Sequence, residues 1–121
     1  ELRQGDNELR SCLVIEGSDI EDLLQLFEEV YQFLHSQQPQ EEEPMINVIA
    51  FYENNNYKIH IFSRRAHRPR QYYEEEGKKM LVSPGALDMA GLIITVREED
   101  FNKINKQDIQ DIYSQVSMPI I

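Results

Sequence analysis

The chain has 121 residues, and its 22 Asp and Glu against 12 Lys and Arg give a formal net charge of −10. This length suits one domain with one hydrophobic core, and a pI near 4.7 argues against broad nucleic-acid binding, which needs a basic surface. The lone Cys12 excludes an internal disulfide framework and a cysteine-built zinc site. Since no apolar run approaches the roughly 20 residues of a membrane helix, we expect a cytoplasmic protein with neither membrane nor nucleic-acid partners.

The first third of the chain predicts a strand followed by an amphipathic helix. Leu9 to Ile15 is typical of a short strand. Ser18 is the expected N-cap residue, and Glu21 completes a capping box three residues later. Apolar residues then recur at helical spacing and predict one buried stripe, formed by Ile20, Leu23, Leu24, Phe27, Val30, Tyr31 and Leu34. The acidic segment 37–44 is bracketed by prolines and predicts a loop.

The middle of the chain predicts a β-hairpin. Its strands are Met45 to Tyr52 and Tyr57 to Ser63, and the turn is Glu53 to Asn56, where asparagines tolerate left-handed conformations. The hairpin should be central in an antiparallel sheet, with the first helix lying across it. In the second strand one face should belong to the core and the other should be partly wet.

The last third predicts a loop over 64–79, an apolar strand over Leu87 to Val96 and two helices. The sequence Thr95-x-x-Glu98 favours a short capped helix that runs through Ile104. A final helix should begin at Asn105, end before Pro119 and bury Ile109, Ile112, Tyr113 and Val116. Because the hairpin imposes antiparallel pairing, the predicted class is α+β: one domain over 1–121 with helices packed on an antiparallel sheet.

The most distinctive local feature is a basic loop after the second hairpin strand. Six of the twelve Lys and Arg lie between Arg64 and Lys79, and an acidic protein that gathers positive charge in one loop favours an anionic ligand. Arginine binds two phosphate oxygens at once. The candidate residues are Arg64, Arg65, His67 and Arg68. They face phosphate, contact a neighbouring domain or subunit, or neutralise nearby carboxylates such as Glu74 to Glu76.

The remaining motifs predict no catalytic residue, no metal site and no cofactor. His60 and His67 lie seven residues apart without recognised ligand spacing, and a half-exposed strand position explains His60. A Gly-x-Ser-x-Gly elbow and a glycine-rich phosphate loop are both absent from the sequence. The runs Glu41 to Glu43 and Glu74 to Glu76 are typical of solvated surface.

Two separated patterns carry a family resemblance over Met45 to Pro119. The first is Asn47 to Phe62 followed by Arg64, Arg65 and His67, and the second is Ala86, Leu87, Ala90, Gly91, Leu92 to Val96, Glu98 and Glu99. Together with a last helix ending in Val116 to Pro119, they resemble the C-terminal domain of the ATP adenylyltransferase (diadenosine tetraphosphate phosphorylase) family. The likeness is greatest to bacterial members of unknown function. This family belongs to the histidine-triad-like superfamily.

The resemblance implies a parent enzyme that transfers nucleotidyl groups through a histidine of a His-x-His-type motif. That motif is absent here and belongs, in this family, to the preceding domain. We therefore expect a histidine-triad-like C-terminal accessory domain that is silent alone and helps to form a nucleotide or phosphate cleft or a domain interface. Its expected partners are the N-terminal catalytic domain and nucleotide phosphate. The alternative is a non-enzymatic protein-interaction module that uses the hairpin edge or the acidic helix face.

Overall fold

The computed structural model describes residues 1–4 and 10–119, and it contains a four-stranded antiparallel sheet with helices on both faces. The order of the strands across the sheet is β1-β2-β4-β3. The strands are β1 (Leu2–Gln4), β2 (Cys12–Gly17), β3 (Ile46–Glu53) and β4 (Asn56–Ser63), and the helices are α1 (Ile20–Gln37), α2 (Ala86–Ala90), α3 (Glu98–Lys103) and α4 (Lys106–Val116). A short 3-10 turn spans Arg70–Tyr73. None of the helices within these residues is both long and apolar enough to cross a bilayer.

The predicted hairpin is present, and a two-residue turn joins its two strands. Asn54 and Asn55 have φ angles of +53° and +60°, the left-handed conformation that asparagine tolerates. Glu53 pairs with Asn56 across this turn. Strand β4 lies inside the sheet between β2 and β3, whereas β3 is an edge strand. Of the two hairpin strands, only β4 therefore lies in the interior of the sheet.

Both faces of the sheet are covered by helices, which confirms the α+β class. On one face Ile15 and Ile61 of the sheet pack against buried α1 residues, and the α1 members are Leu23, Val30 and Leu34. On the other face Cys12, Val14 and Phe62 pack against α2 and α4, through Met89, Tyr113 and Val116. Because successive strand residues point to opposite faces, adjacent Ile61 and Phe62 belong to different cores.

Helix α1 has a different cap and a narrower buried stripe than the sequence predicted. The N-cap residue is Asp19 and not Ser18, and Asp19 Oδ1 accepts hydrogen bonds from the backbone N–H groups of Glu21 and Asp22 at 2.9 and 3.3 Å. The prediction that Leu24 is buried was wrong, since 60% of it is exposed, against 2% of Leu23. One residue turns a helix by about 100°, and that step carries Leu24 off the stripe that the sheet covers.

The predicted strand over Leu87 to Val96 was also wrong. The chain forms helix α2 over Ala86–Ala90, turns at Gly91 with φ +124°, and then continues without strand structure. Asp88 explains the difference, because its Oδ1 accepts from Gly85 N–H at 2.9 Å at the start of α2 and its carbonyl accepts from Gly91 N–H at 3.0 Å at the end. These local bonds close one helical turn inside an apolar run.

The cap predicted for the first of the last two helices was wrong, and the cap predicted for the second was confirmed. Helix α3 begins after Arg97, which makes no side-chain cap bond, so the predicted Thr95 cap was wrong. Helix α4 has Asn105 as N-cap residue, and Asn105 Oδ1 and Asp108 Oδ2 accept reciprocal backbone bonds at 2.9 and 3.1 Å. Its predicted buried face is confirmed for Ile112, Tyr113 and Val116, and Ile109 is partly buried against the same core.

The neighbouring leucines of α1 provide a matched test of this packing. Leu23→Ala should lower the free energy of unfolding by about 2–5 kcal/mol, because it leaves a cavity between α1 and the sheet. Leu24→Ala should change it by no more than about 0.5 kcal/mol. Urea denaturation of both variants measures the difference, and equal losses would contradict the observed face of α1.

Candidate functional site

Arg64 anchors the start of the basic loop from inside the protein. Only 3% of the residue is exposed. All five guanidinium N–H groups meet oxygen acceptors: Nε donates to Val116 O at 3.3 Å, Nη1 to Asn47 Oδ1 and to Pro84 O at 2.9 Å, and Nη2 to Ala66 O and His67 O at 3.0 Å each. A guanidinium offers five such donors, so Arg64 has none left for a phosphate.

The backbone around Arg64 is held just as closely. Arg64 N–H donates to Met45 O at 2.8 Å, and Arg65 N–H donates to Val116 O at 3.0 Å. Arg64 also forms an isolated antiparallel bridge with Ser117, and Gln38 Nε2 donates to Arg64 O. The end of β4 is therefore joined to the end of α1, the start of β3 and the end of α4. We call this set of contacts the Arg64 junction.

The charge of Arg64 is buried among peptide and amide oxygens. Burial lowers the pKa of its guanidinium, and the carboxylate of Asp88 acts in the opposite direction. Asp88 is itself buried, and its two oxygens accept from Gly85 N–H and Ile94 N–H at 2.9 Å each. A guanidinium stays protonated at any physiological pH, so peptide carbonyl dipoles and one nearby carboxylate compensate the buried charge.

The other three candidate residues are exposed, unlike Arg64. Arg65 donates from Nη2 to Ser114 O and lines a cavity of about 150 Å³ together with Gln38 and Glu41. Arg68 donates from Nε to Ser83 Oγ at 3.1 Å, and its guanidinium carbon lies 4.2 Å from the centroid of the Tyr72 ring. That separation is typical of a cation–π contact. The structure thus brings these residues onto one loop but not into one pocket.

Arg68 lies at the edge of a cleft of about 300 Å³. The cleft is lined by Tyr72, Leu81, Ser83, Asp88, Ile94 and Val96. Arg68 touches two of these lining residues, Tyr72 through its ring and Ser83 through its hydroxyl. Apolar walls with a few polar groups are typical of sites for small molecules, and Arg68 adds a cation beside two of the lining residues.

Ion pairs around the loop differ from those considered in the sequence analysis. Arg70 Nη2 pairs with Asp111 Oδ2 of α4 at 2.8 Å, and Arg97 pairs with Glu76 at 3.2 Å. Across residues 1–4 and 10–119, the arginines of 64–70 make no ion pair with Glu74 to Glu76. Arg65 and Arg68 therefore keep their charge available at the surface.

Sequence reasoning missed an arginine–carboxylate contact between half-buried Arg97 and buried Asp100. Asp100 is fully buried, and Arg97 donates to it twice, from Nε to Oδ2 at 2.8 Å and from Nη2 to Oδ1 at 3.0 Å. These bonds, and Leu81 N–H donating to Oδ2 at 3.0 Å, hold the pKa of Asp100 below its usual range. The Arg-x-x-Asp spacing at a helix start was the available signal. The contact fixes Leu81, a lining residue, against α3.

The remaining reactive side chains lie apart from the cleft. The ring of His60 stacks on Phe51 with 5.6 Å between centroids, and burial, followed by Lys58 and Arg3, lowers the pKa of His60. Burial raises the pKa of the Cys12 thiol. Within the described ranges, no three His, Cys, Asp or Glu side chains form a group able to hold a metal ion.

Comparison with known proteins gives one match. A family model described as "GDPGP1-like, C-terminal domain" matches residues 9–120, which is nearly the whole chain and includes the Arg64 junction and the cleft. Comparisons with curated proteins and with solved structures give no match.

The neighbouring arginines Arg64 and Arg65 test the anchoring role of the first. Arg64→Lys should lower the free energy of unfolding by about 1–3 kcal/mol, because an ammonium has three donors without the planar fork and leaves buried carbonyls unpaired. Arg65→Lys, one residue away and exposed, should change it by no more than about 0.5 kcal/mol. Chemical denaturation of both variants is the measurement, and an unaffected Arg64→Lys variant would refute the anchoring role.

Proposed function

The chain belongs to the family of GDPGP1-like C-terminal domains, and from this premise we propose that it is the accessory domain of a nucleotidyltransferase or nucleotide phosphorylase. In this proposal an N-terminal catalytic domain of histidine-triad-like ancestry carries out the transfer. The present domain completes the cleft in which the nucleotide phosphates lie. The observation that carries the proposal is Arg68, which lies at the mouth of the cleft on a loop anchored by Arg64.

The side chain of Arg68 is pre-organised for binding an anion. Its contacts with Ser83 and Tyr72 restrain the guanidinium before any ligand arrives, so less conformational entropy is lost when phosphate binds. Apolar walls nearby, at Leu81 and Ile94, suit the ring of a nucleoside. A volume of about 300 Å³ lies at the lower end of the range for ligand pockets, as expected of a cleft that another domain enlarges.

Arg65 and His67 lie on the exposed surface beyond the cleft, where Arg65 adds a positive charge. The carbonyl of His67 accepts from Arg64 at 3.0 Å, which fixes the backbone that presents its exposed ring. Arg65 borders a different cavity, so we assign it to the contact with the N-terminal domain and assign Arg68 to phosphate. Cations placed there offset the negative charge that develops on a transferred phosphoryl group.

A second candidate function is a non-enzymatic protein-interaction module. The observation that favours it is the edge strand β3, where 44% of Phe51 and 57% of Tyr52 are exposed. Open strand edges bind extended peptides by adding a strand to the sheet. A His-x-His-type motif in the N-terminal part of the full-length protein would favour the enzyme, and its absence there would favour this module.

The 121-residue chain alone should not hydrolyse or phosphorolyse dinucleoside polyphosphates or nucleotide sugars, since the proposed nucleophile lies in another domain. Nucleotide release from each substrate measures this. Turnover that co-purifies with the chain and disappears in a His67→Ala variant would place the catalytic histidine here and refute the accessory role.

Nucleotide should bind weakly at the edge of the cleft. In a backbone NMR titration with ADP and, separately, pyrophosphate, we expect shifts at Arg68, Tyr72 and Ser83. An Arg68→Ala variant should bind about tenfold or more weakly, because a charge-assisted hydrogen bond contributes roughly 1.5–3 kcal/mol. Affinity should also fall as salt rises, since exposed charges are screened over roughly 8–10 Å.

Arg70→Ala is the matched control for this titration. Arg70 belongs to the same loop, but its guanidinium pairs with Asp111, so its loss should leave ADP binding unchanged. Shifts with ADP but not with pyrophosphate would assign recognition to the base and not to phosphate. Spectra that are identical with and without both ligands would contradict a phosphate site on this chain.

A further inference from the structure

The segment 92–96 exposes apolar side chains in alternation. Leu92, Ile94 and Val96 are 62%, 46% and 72% exposed, whereas the intervening Ile93 and Thr95 are half-buried. Ile93 packs against two of the hydrophobic cores. This period of two is the pattern of a β-strand that has one side on the core, but here the outward side is also apolar.

Further exposed apolar residues adjoin this segment. Leu87 is 58% exposed, and its carbonyl accepts from Leu92 N–H at 3.0 Å. Ile94 and Val96 line the cleft beside Tyr72, and the ring of Tyr73, 71% exposed, lies 5.2 Å from that of Tyr72. We call the patch formed by Leu87, Leu92, Ile94 and Val96 the 92–96 surface.

No strand of the described chain pairs with the 92–96 segment. Its backbone is nevertheless held in place, because Ile94 N–H donates to the buried Asp88 carboxylate at 2.9 Å. A contiguous exposed apolar patch of this kind marks an interaction site. A segment with the side-chain alternation of a strand and no neighbouring strand is also a template for strand addition.

The charges beside this surface define the chemistry of its partner. Arg97 follows the segment directly and is engaged by Asp100, Glu76 and Glu99, and the exposed Glu98 and Glu99 come next. With a net charge of −10 for the chain, the border of the patch at this end is acidic. A complementary partner would present an extended apolar segment flanked by Lys or Arg.

We propose that the 92–96 surface is the docking site of the N-terminal domain of the same protein, which adds an extended apolar segment with basic flanks. This inference rests on the proposed function, since it needs the accessory role. The occupant follows from the family, which is described as a C-terminal domain, and from position, because Ile94 and Val96 are also walls of the cleft. A domain docked here would close the open side of that cleft.

Hydrogen exchange in the full-length protein tests the docking site. The amides of Ile93, Thr95 and Val96 should exchange about tenfold or more slowly in the full-length protein than in the 121-residue chain, because docking shields them and supplies strand hydrogen bonds. The amides of Leu92 and Ile94 already donate to Leu87 O and Asp88 Oδ2 in the chain alone. Exposed residues of α1, on the opposite face of the sheet, should exchange at the same rate in both. Equal rates at 92–96 in both proteins would overturn the proposal.

A pair of charge insertions provides the matched control. Leu92→Lys, at a residue 62% exposed, should abolish the protection of 92–96 in the full-length protein, whereas Leu24→Lys, at a residue 60% exposed on α1, should not. Both variants of the 121-residue chain should melt like the native chain, which separates docking from folding. Protection of 92–96 that survives Leu92→Lys in the full-length protein would contradict docking at this surface. Protection that arises in the 121-residue chain and depends on its concentration would assign the surface to a dimer instead. Because Leu92 lies outside the cleft lining, ADP shifts at Arg68 report on the proposed function independently.

Discussion

The buried guanidinium of Arg64 is the interaction on which the arrangement of this domain depends. A charge removed from water is costly unless every polar group on it finds a partner. Here the cost is met by five oxygen acceptors from four parts of the chain: β3, the basic loop, the turn before α2 and the end of α4. Any rearrangement of one part would leave unpaired donors or carbonyls in the interior.

This constraint explains how the basic loop divides its charges. The first arginine points inward and fixes the carbonyls of Ala66 and His67, so the exposed residues that follow lie on a restrained backbone. The cleft below has its own anchor in the contact between Arg97 and Asp100, which holds Leu81 through its backbone N–H at 3.0 Å. Buried Arg64 and half-buried Arg97 thus position the surface that the proposed function uses, and Arg68 lies at the edge of the cleft.

Sequence reasoning succeeded at several features with local causes, although it misplaced the helix caps at Ser18 and Thr95. The Asn54–Asn55 turn and the Asn105 cap depend on residues within three positions of each other, and the apolar stripe of α4 depends on helical spacing alone. It failed where distant groups decide. For Arg64 the sequence left phosphate, a neighbouring domain and nearby carboxylates open as partners, because nothing in it shows that Val116 O, 52 residues away, accepts from Arg64 Nε. Leu24 matched the helical stripe, but it lies about 100° around the helix from Leu23 and is exposed.

The segment after Gly91 illustrates a third kind of difficulty. Its alternating apolar residues have the pattern of a strand, but a strand needs a neighbour, and the described chain supplies none. The apolar run also contains Asp88, whose carboxylate caps α2 and holds Ile94 N–H. Membership of a C-terminal domain family gives a physical reason for such a segment, because the neighbour can belong to another domain.

The most direct test of the central claim is the backbone order of the loop that Arg64 holds. If the Arg64 junction restrains it, NMR relaxation should give order parameters at residues 65–69 close to the value of about 0.85 that is typical of rigid backbone, although three of the side chains are exposed. Order parameters below about 0.6 at these residues would identify a flexible loop. That result would contradict the account, because a mobile loop could not place Arg68 at the cleft before a ligand binds.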